Sequence, residues 1–157
     1  MALKAVLTTC VALVLAMVGA CASAADTAAS AQPSTPASAR ELHAADCVAA
    51  LQVNTEALAA KVKAGDEGSR ALLQSKMEAG TAFVGDTYLH EDRDEAHARG
   101  LANAALDAQK RLSPAQLAAR QTACADEGAA LLANANGLER LLVRKMARKR
   151  MDKLLSN

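Results

Sequence analysis

The sequence contains no tryptophan, one tyrosine and one phenylalanine. Aromatic side chains bury the largest apolar areas, so any core must be assembled from Leu, Val, Met and Ala. Such a core is thin, and it needs close packing over small side chains. The same scarcity removes the aromatic platforms on which single-stranded nucleic acid stacks. Proline and glycine are also few, at 3 and 8, and strand-forming residues are scarce. These absences exclude turn-rich β architectures and leave an all-α fold. Neither sign of charge prevails: 18 basic and 17 acidic residues give +1 at pH 7. Loss of Lys4 with a leader brings the chain to neutrality, so there is no global pull toward nucleic acid or an anionic membrane.

Catalytic signatures are missing as well. The sequence has no G-x-S-x-G elbow, P-loop, dinucleotide-binding glycine pattern, H-E-x-x-H or C-x-x-C-H haem site. No catalytic residue and no cofactor is therefore expected, and the chain reads as a non-enzymatic protein.

What is present begins with an export signal. Lys4 supplies a positive start, and the stretch from Ala5 to Val18 carries no charge. It has the length of a signal peptide and is too short to span a bilayer. Ala22-Ser23-Ala24 is a small-x-small cleavage site, which makes residues 1–24 the leader and Ala25 the mature start. A second reading stays open. Met17-Val18-Gly19-Ala20-Cys21 resembles a bacterial lipobox, in which residues 1–20 are removed and Cys21 is acylated. Residues 25–39 are rich in Ala, Ser, Thr and Pro, as a flexible tether would be. Both routes predict an exported protein of the periplasm, tethered to the outer membrane in the second case. Neither leaves a transmembrane helix in the mature form.

Of the four cysteines, Cys10 departs with the leader and Cys21 is removed or acylated. Cys47 and Cys124 remain. An even pair in an oxidising compartment predicts a disulfide. It would close a loop of about 78 residues, worth roughly 4 kcal/mol by chain entropy.

Residues 40–157 are expected to form a small bundle of three to four helices. Ala44, Cys47, Val48, Leu51, Thr55, Leu58 and Val62 recur at three and four, marking one face of a helix from Arg40 to about Ala64. Gly65 to Gly68 ends it, and Ser69 is placed to cap the next. Leu73, Met77, Gly80 and Val84 form a second stripe, and a third helix is expected over Asp86 to Arg111. Ser113-Pro114-Ala115-Gln116 is a strong start signal. From it one long helix is predicted to about Leu155, with Leu117, Cys124, Leu131 and Leu138 on its seam. Geometry then requires either a break in the middle segment or cysteines that stay unpaired. An unbroken middle helix would hold Cys47 and Cys124 far beyond the roughly 7 Å that a disulfide allows. The break is expected near Gly80–Gly85, which gives four helices.

Two clusters are candidates for function. His90, Asp94 and His97 share a helix face, which suggests metal ligation. Residues seven apart on a helix are separated by about 10.5 Å along the axis, so only His90/Asp94 or Asp94/His97 suits one ion, with His43 a conceivable third ligand. The plainer expectation is a solvated face with pairs such as Glu95 to Arg99. The second cluster is Arg140, Arg144, Lys145, Arg148, Lys149, Arg150 and Lys153. These stand among Leu138, Leu141, Leu142 and Met146. A basic amphipathic helix suits an anionic membrane surface or a protein partner. Equally, cations at a helix C-terminus complement its dipole.

Overall fold

The computed structural model describes residues 36–90 and 94–156, so the leader, Cys21 and most of the expected tether lie outside the described residues. Five helices pack together, with no strand among the described residues: α1 (Ala39–Lys63), α2 (Gly68–His90), α3 (Glu95–Gln109), α4 (Pro114–Asn134) and α5 (Gly137–Ser156). The all-α expectation holds, with one helix more than the largest number expected.

The start of α1 is set by Ser38. Its hydroxyl accepts from Glu41 N, and the Glu41 carboxylate accepts from Ser38 N at 2.7 Å. This reciprocal box satisfies two helix-end donors at once. Of the face read from sequence, Ala44, Cys47, Leu51, Thr55, Leu58 and Val62 are buried, and Val48 packs against them. The helix ends at Gly65, whose φ of 97° only glycine adopts without strain. Ser69 lies inside α2 instead of preceding it. Its hydroxyl donates to Asp66 at 2.7 Å and so braces the turn.

The expected break at Gly80–Gly85 is not there. α2 runs unbroken through both glycines. Each costs about 1 kcal/mol against alanine in a helix, and tertiary packing offsets that: Leu73, Ala79, Ala82 and Phe83 are all buried. The middle segment breaks instead after His90. Asp94 caps α3, accepting from His97 N at 2.7 Å. The geometric demand for a break was sound; its position follows the capping aspartate and not the glycines.

The long last helix is also two. α4 ends at Asn134, and Ala135 is extended, with ψ 147°. The Asn136 side chain accepts from the amides of Leu138 and Glu139, each at 3.0 Å, and the Glu139 carboxylate accepts from Asn136 N at 2.9 Å. A new helix therefore starts here. It runs back along α2: Val143 lies by Gly85, and Met151 lies in a cluster with Leu73, Leu58 and Val62. The start of α4 follows its expected box, Ser113 with Gln116.

α1 and α2 form the central hairpin, with α4 and α5 against α2 and α3 across α1. The core has two parts. One gathers Ala44, Cys47, Leu51, Ala79, Phe83 and Cys124; the other surrounds Leu73 and Met151 between the turn and the end of α5. The Cys47–Cys124 disulfide ties α1 to α4 inside the first, with Cα atoms 5.2 Å apart. At Gly128, α4 approaches the α2 backbone closely enough that no side chain fits.

Candidate functional site

The residues around the disulfide are built from two helical spacings. On α1, His43 and Cys47 are four apart and share a face. On α4, Cys124 and Glu127 are three apart and share another. The disulfide brings the two faces together. His43 Nε2 lies 2.9 Å from both Glu127 carboxylate oxygens and 3.9 Å from Cys47 Sγ. One ligand atom from each of His43, Cys47 and Glu127 falls within 4.8 Å of the others. Both sulfurs are buried, while His43 and Glu127 are about half exposed at 54% and 47%. A surface groove of about 550 Å³ opens onto all four residues. Phe83 supports the imidazole from below, edge to face at 6.0 Å.

Beside this cluster, Asp46 joins three helices. Its Oδ1 accepts from the buried Gln109 amide of α3 at 2.6 Å, and its Oδ2 pairs with Arg120 of α4. About two helical turns further along α1, Asn54 donates to Gln121 of α4 at 3.2 Å. This polar seam fixes the register of α1 against α3 and α4.

The three residues of the acidic-histidine stretch have separate attachments. His90 Nδ1 meets the Asp86 carbonyl oxygen at 2.7 Å. Asp94 is occupied as the α3 cap. His97 Nε2 stands 3.3 Å from the buried Glu41 carboxylate. Among the described residues, the cluster with metal-ligand spacing is the one around His43. The expected Glu95–Arg99 pair is formed. The helical spacings His43-x3-Cys47 and Cys124-x2-Glu127 were visible in sequence. What was missing was the knowledge that the two pairs face one another.

The basic cluster lies on α5, where seven cations stand against two acidic residues, Glu139 and Asp152. Ala147 and Met151 face inward and are buried. Arg140 donates to the Ala135 carbonyl oxygen at 2.8 Å, and Arg144 reaches Glu78 at 3.8 Å. Lys145, Arg148, Lys149, Arg150 and Lys153 are exposed. Among them, four large apolar side chains also face solvent: Leu138 (67%), Leu141 (63%), Leu142 (49%) and Met146 (48%). No helix among the described residues is long and apolar enough to cross a membrane.

No protein family model matches this chain, and neither a curated protein nor a solved structure matches it.

Proposed function

We propose that this is an exported, non-enzymatic envelope protein that docks on an anionic membrane surface through the outer face of α5. The observation that carries the reading is the exposed strip Leu138, Leu141, Leu142 and Met146 set among exposed cations on one short helix. Leu138, Leu141 and Leu142 are spaced by three and four, so they form one strip, and Lys145 and Lys149 continue it from Leu141. Each leucine that enters the acyl boundary gains about 1.5–3 kcal/mol. Each Lys or Arg near an anionic headgroup adds about 1 kcal/mol. A helix face that sets leucines among Lys and Arg can rest in the interface plane without crossing the bilayer. A disulfide at Cys47–Cys124 supports the export part of the reading, since such bonds persist in oxidising compartments.

Co-sedimentation with vesicles tests it. Phosphatidylglycerol-rich vesicles are expected to retain the protein at low salt and release it at high salt. Deleting α5 would remove Met151 from the core, so point variants are the better probe. Leu138→Ser with Leu141→Ser, and Lys145→Glu with Lys149→Glu, change exposed side chains only. Both pairs are expected to cut retention. Equal retention on neutral phosphatidylcholine vesicles, or by both variant pairs, would remove α5 from the function and favour a protein partner contacted elsewhere.

A further inference from the structure

We propose that the dithiol form of this protein binds a thiophilic divalent cation, of the zinc class, with Cys47, Cys124, His43 and Glu127 as its four ligands. Two thiolates, an imidazole and a carboxylate make a donor set suited to tetrahedral zinc. Each helix contributes two adjacent ligands, the arrangement by which helical bundles build metal sites from facing helices.

The existing distances are close to those an ion would impose. With metal–nitrogen and metal–oxygen bonds near 2.0 Å, tetrahedral geometry asks for about 3.3 Å between the imidazole nitrogen and the carboxylate oxygen; they stand 2.9 Å apart. With a metal–sulfur bond near 2.3 Å, the nitrogen and sulfur should be about 3.6 Å apart; they stand 3.9 Å apart. The sulfurs must separate to about 3.8 Å. Rotation about the Cα–Cβ bonds of two backbones 5.2 Å apart is enough for that. The half-exposed His43 and Glu127, at the mouth of the groove, provide the way in. Arg120, which also lines the groove, is paired with Asp46, which offsets part of its charge toward the ion.

In the disulfide form the sulfurs carry no thiolate, and only His43 and Glu127 remain as donors. The two states interconvert with a dithiol as the electron source. A dithiol gives two electrons and two protons to the Cys47–Cys124 bond and becomes a disulfide, and the protein gains two thiols. The cation then displaces both thiol protons to solvent as two metal–sulfur bonds form. Reoxidation by a disulfide reverses this and releases the ion. Either the disulfide or the ion holds α1 to α4, so the same contact is a staple in one state and a cation site in the other.

The test uses the full chain without a His tag, carrying Cys10→Ser and Cys21→Ser so that Cys47 and Cys124 are its only thiols. It is reduced with a phosphine, freed of reductant under argon and titrated with Co2+, then Zn2+. The reduced protein is expected to bind one Co2+ per chain, with thiolate charge-transfer and tetrahedral d–d bands that Zn2+ abolishes. The oxidised protein is expected to show neither band. His43→Ala and Glu127→Ala should each weaken binding by about tenfold or more, since even outer-sphere partners of metal ligands contribute on that scale. No charge-transfer band in the reduced protein overturns the proposal. So does unchanged affinity in both single variants, which would mark an adventitious dithiolate. Far-UV circular dichroism covers the case in which reduction unfolds the chain. Recovery of helicity on adding Zn2+ supports the site, and metal uptake without recovered helix refutes it.

Discussion

Gly128 of α4 faces the backbone of Ala79 of α2 so closely that a Cβ at residue 128 would lie 2.7 Å from the Ala79 carbonyl oxygen and 2.9 Å from its Cα. Backbone atoms of a packed helix cannot turn aside as a side chain would. Gly128→Ala must therefore push α4 from α2, next to the disulfide. Overpacking of this kind costs about 1–3 kcal/mol. Gly80→Ala and Gly85→Ala provide the contrast. Their nearest neighbours would be Leu51 at 3.9 Å and Val143 at 3.8 Å, ordinary contact distances, and both backbones are helical. These two should gain about 0.5–1 kcal/mol. Urea unfolding midpoints read all three, and a Gly128→Ala variant as stable as wild type would mean the helices are not so tightly apposed.

That contact also shows which parts of the fold were legible in the sequence. The larger side chains of the α1 face were readable because Leu, Val and Cys recur there with the helical period, whereas Glu41, Ala49, Ala50 and Ala59, also buried, carried no such signal. The packing of α2 was not. Its buried positions include Ala79 and Ala82, and alanine carries no contrast in a chain that is 52% hydrophobic. The seam from Leu117 to Leu138 reads as continuous because its seven-residue spacing persists across the reversal at Asn136. The local signal against it, Asn136-x-x-Glu139, is a capping pattern that the leucine period hid. The result is that Leu138, expected on an inner seam, faces solvent. At the cation site, each ligand pair was legible on its own helix; their meeting depends on tertiary pairing that spacing alone does not carry.

The disulfide spans a sequence separation of 77 residues. By chain entropy a loop of that size contributes roughly 4 kcal/mol, and in the buried cluster around it only Leu51 and Phe83 are large side chains. Reduction, or Cys47→Ala with Cys124→Ala, is expected to lower the urea midpoint by the equivalent of several kcal/mol. Guarding against metal rescue, the reduced sample should contain a chelator. Midpoints that coincide with and without reductant would show that the bridge adds nothing to folding.

Asp46 separates the value of a buried hydrogen bond from that of an exposed ion pair. Gln109 is buried and donates to Asp46 at 2.6 Å, so Asp46→Ala strands a buried amide. The cost is about 1–3 kcal/mol. Arg120, on the other oxygen, is 44% exposed. Its pair is screened by water, and Arg120→Ala should cost less than about 1 kcal/mol. A double-mutant cycle between Asp46 and Gln109 should show coupling above about 0.5 kcal/mol. Additive losses would mean the two side chains act independently.

The reversal at Asn136 decides where α5 begins, and therefore how the Leu138–Leu141 strip is presented. The Asn136 side chain satisfies two amides of the first turn, and its own amide is held by Glu139. Asn136→Ala removes the side-chain half of this arrangement. Caps of this type are worth about 1 kcal/mol, so that loss in global stability is expected. Faster amide exchange should be confined to Leu138 and Glu139. Asn136→Asp is the control, because aspartate caps as well as asparagine and its charge complements the positive end of the helix dipole. It should leave stability and exchange at wild-type levels. Arg140 also ties the junction, donating to the Ala135 carbonyl oxygen, so the alanine variant should loosen the first turn without releasing α5 from α2. If Asn136→Ala exchanges at the wild-type rate, the reversal is held by Arg140 and by the packing of Val143 beside Gly85, and the cap is incidental.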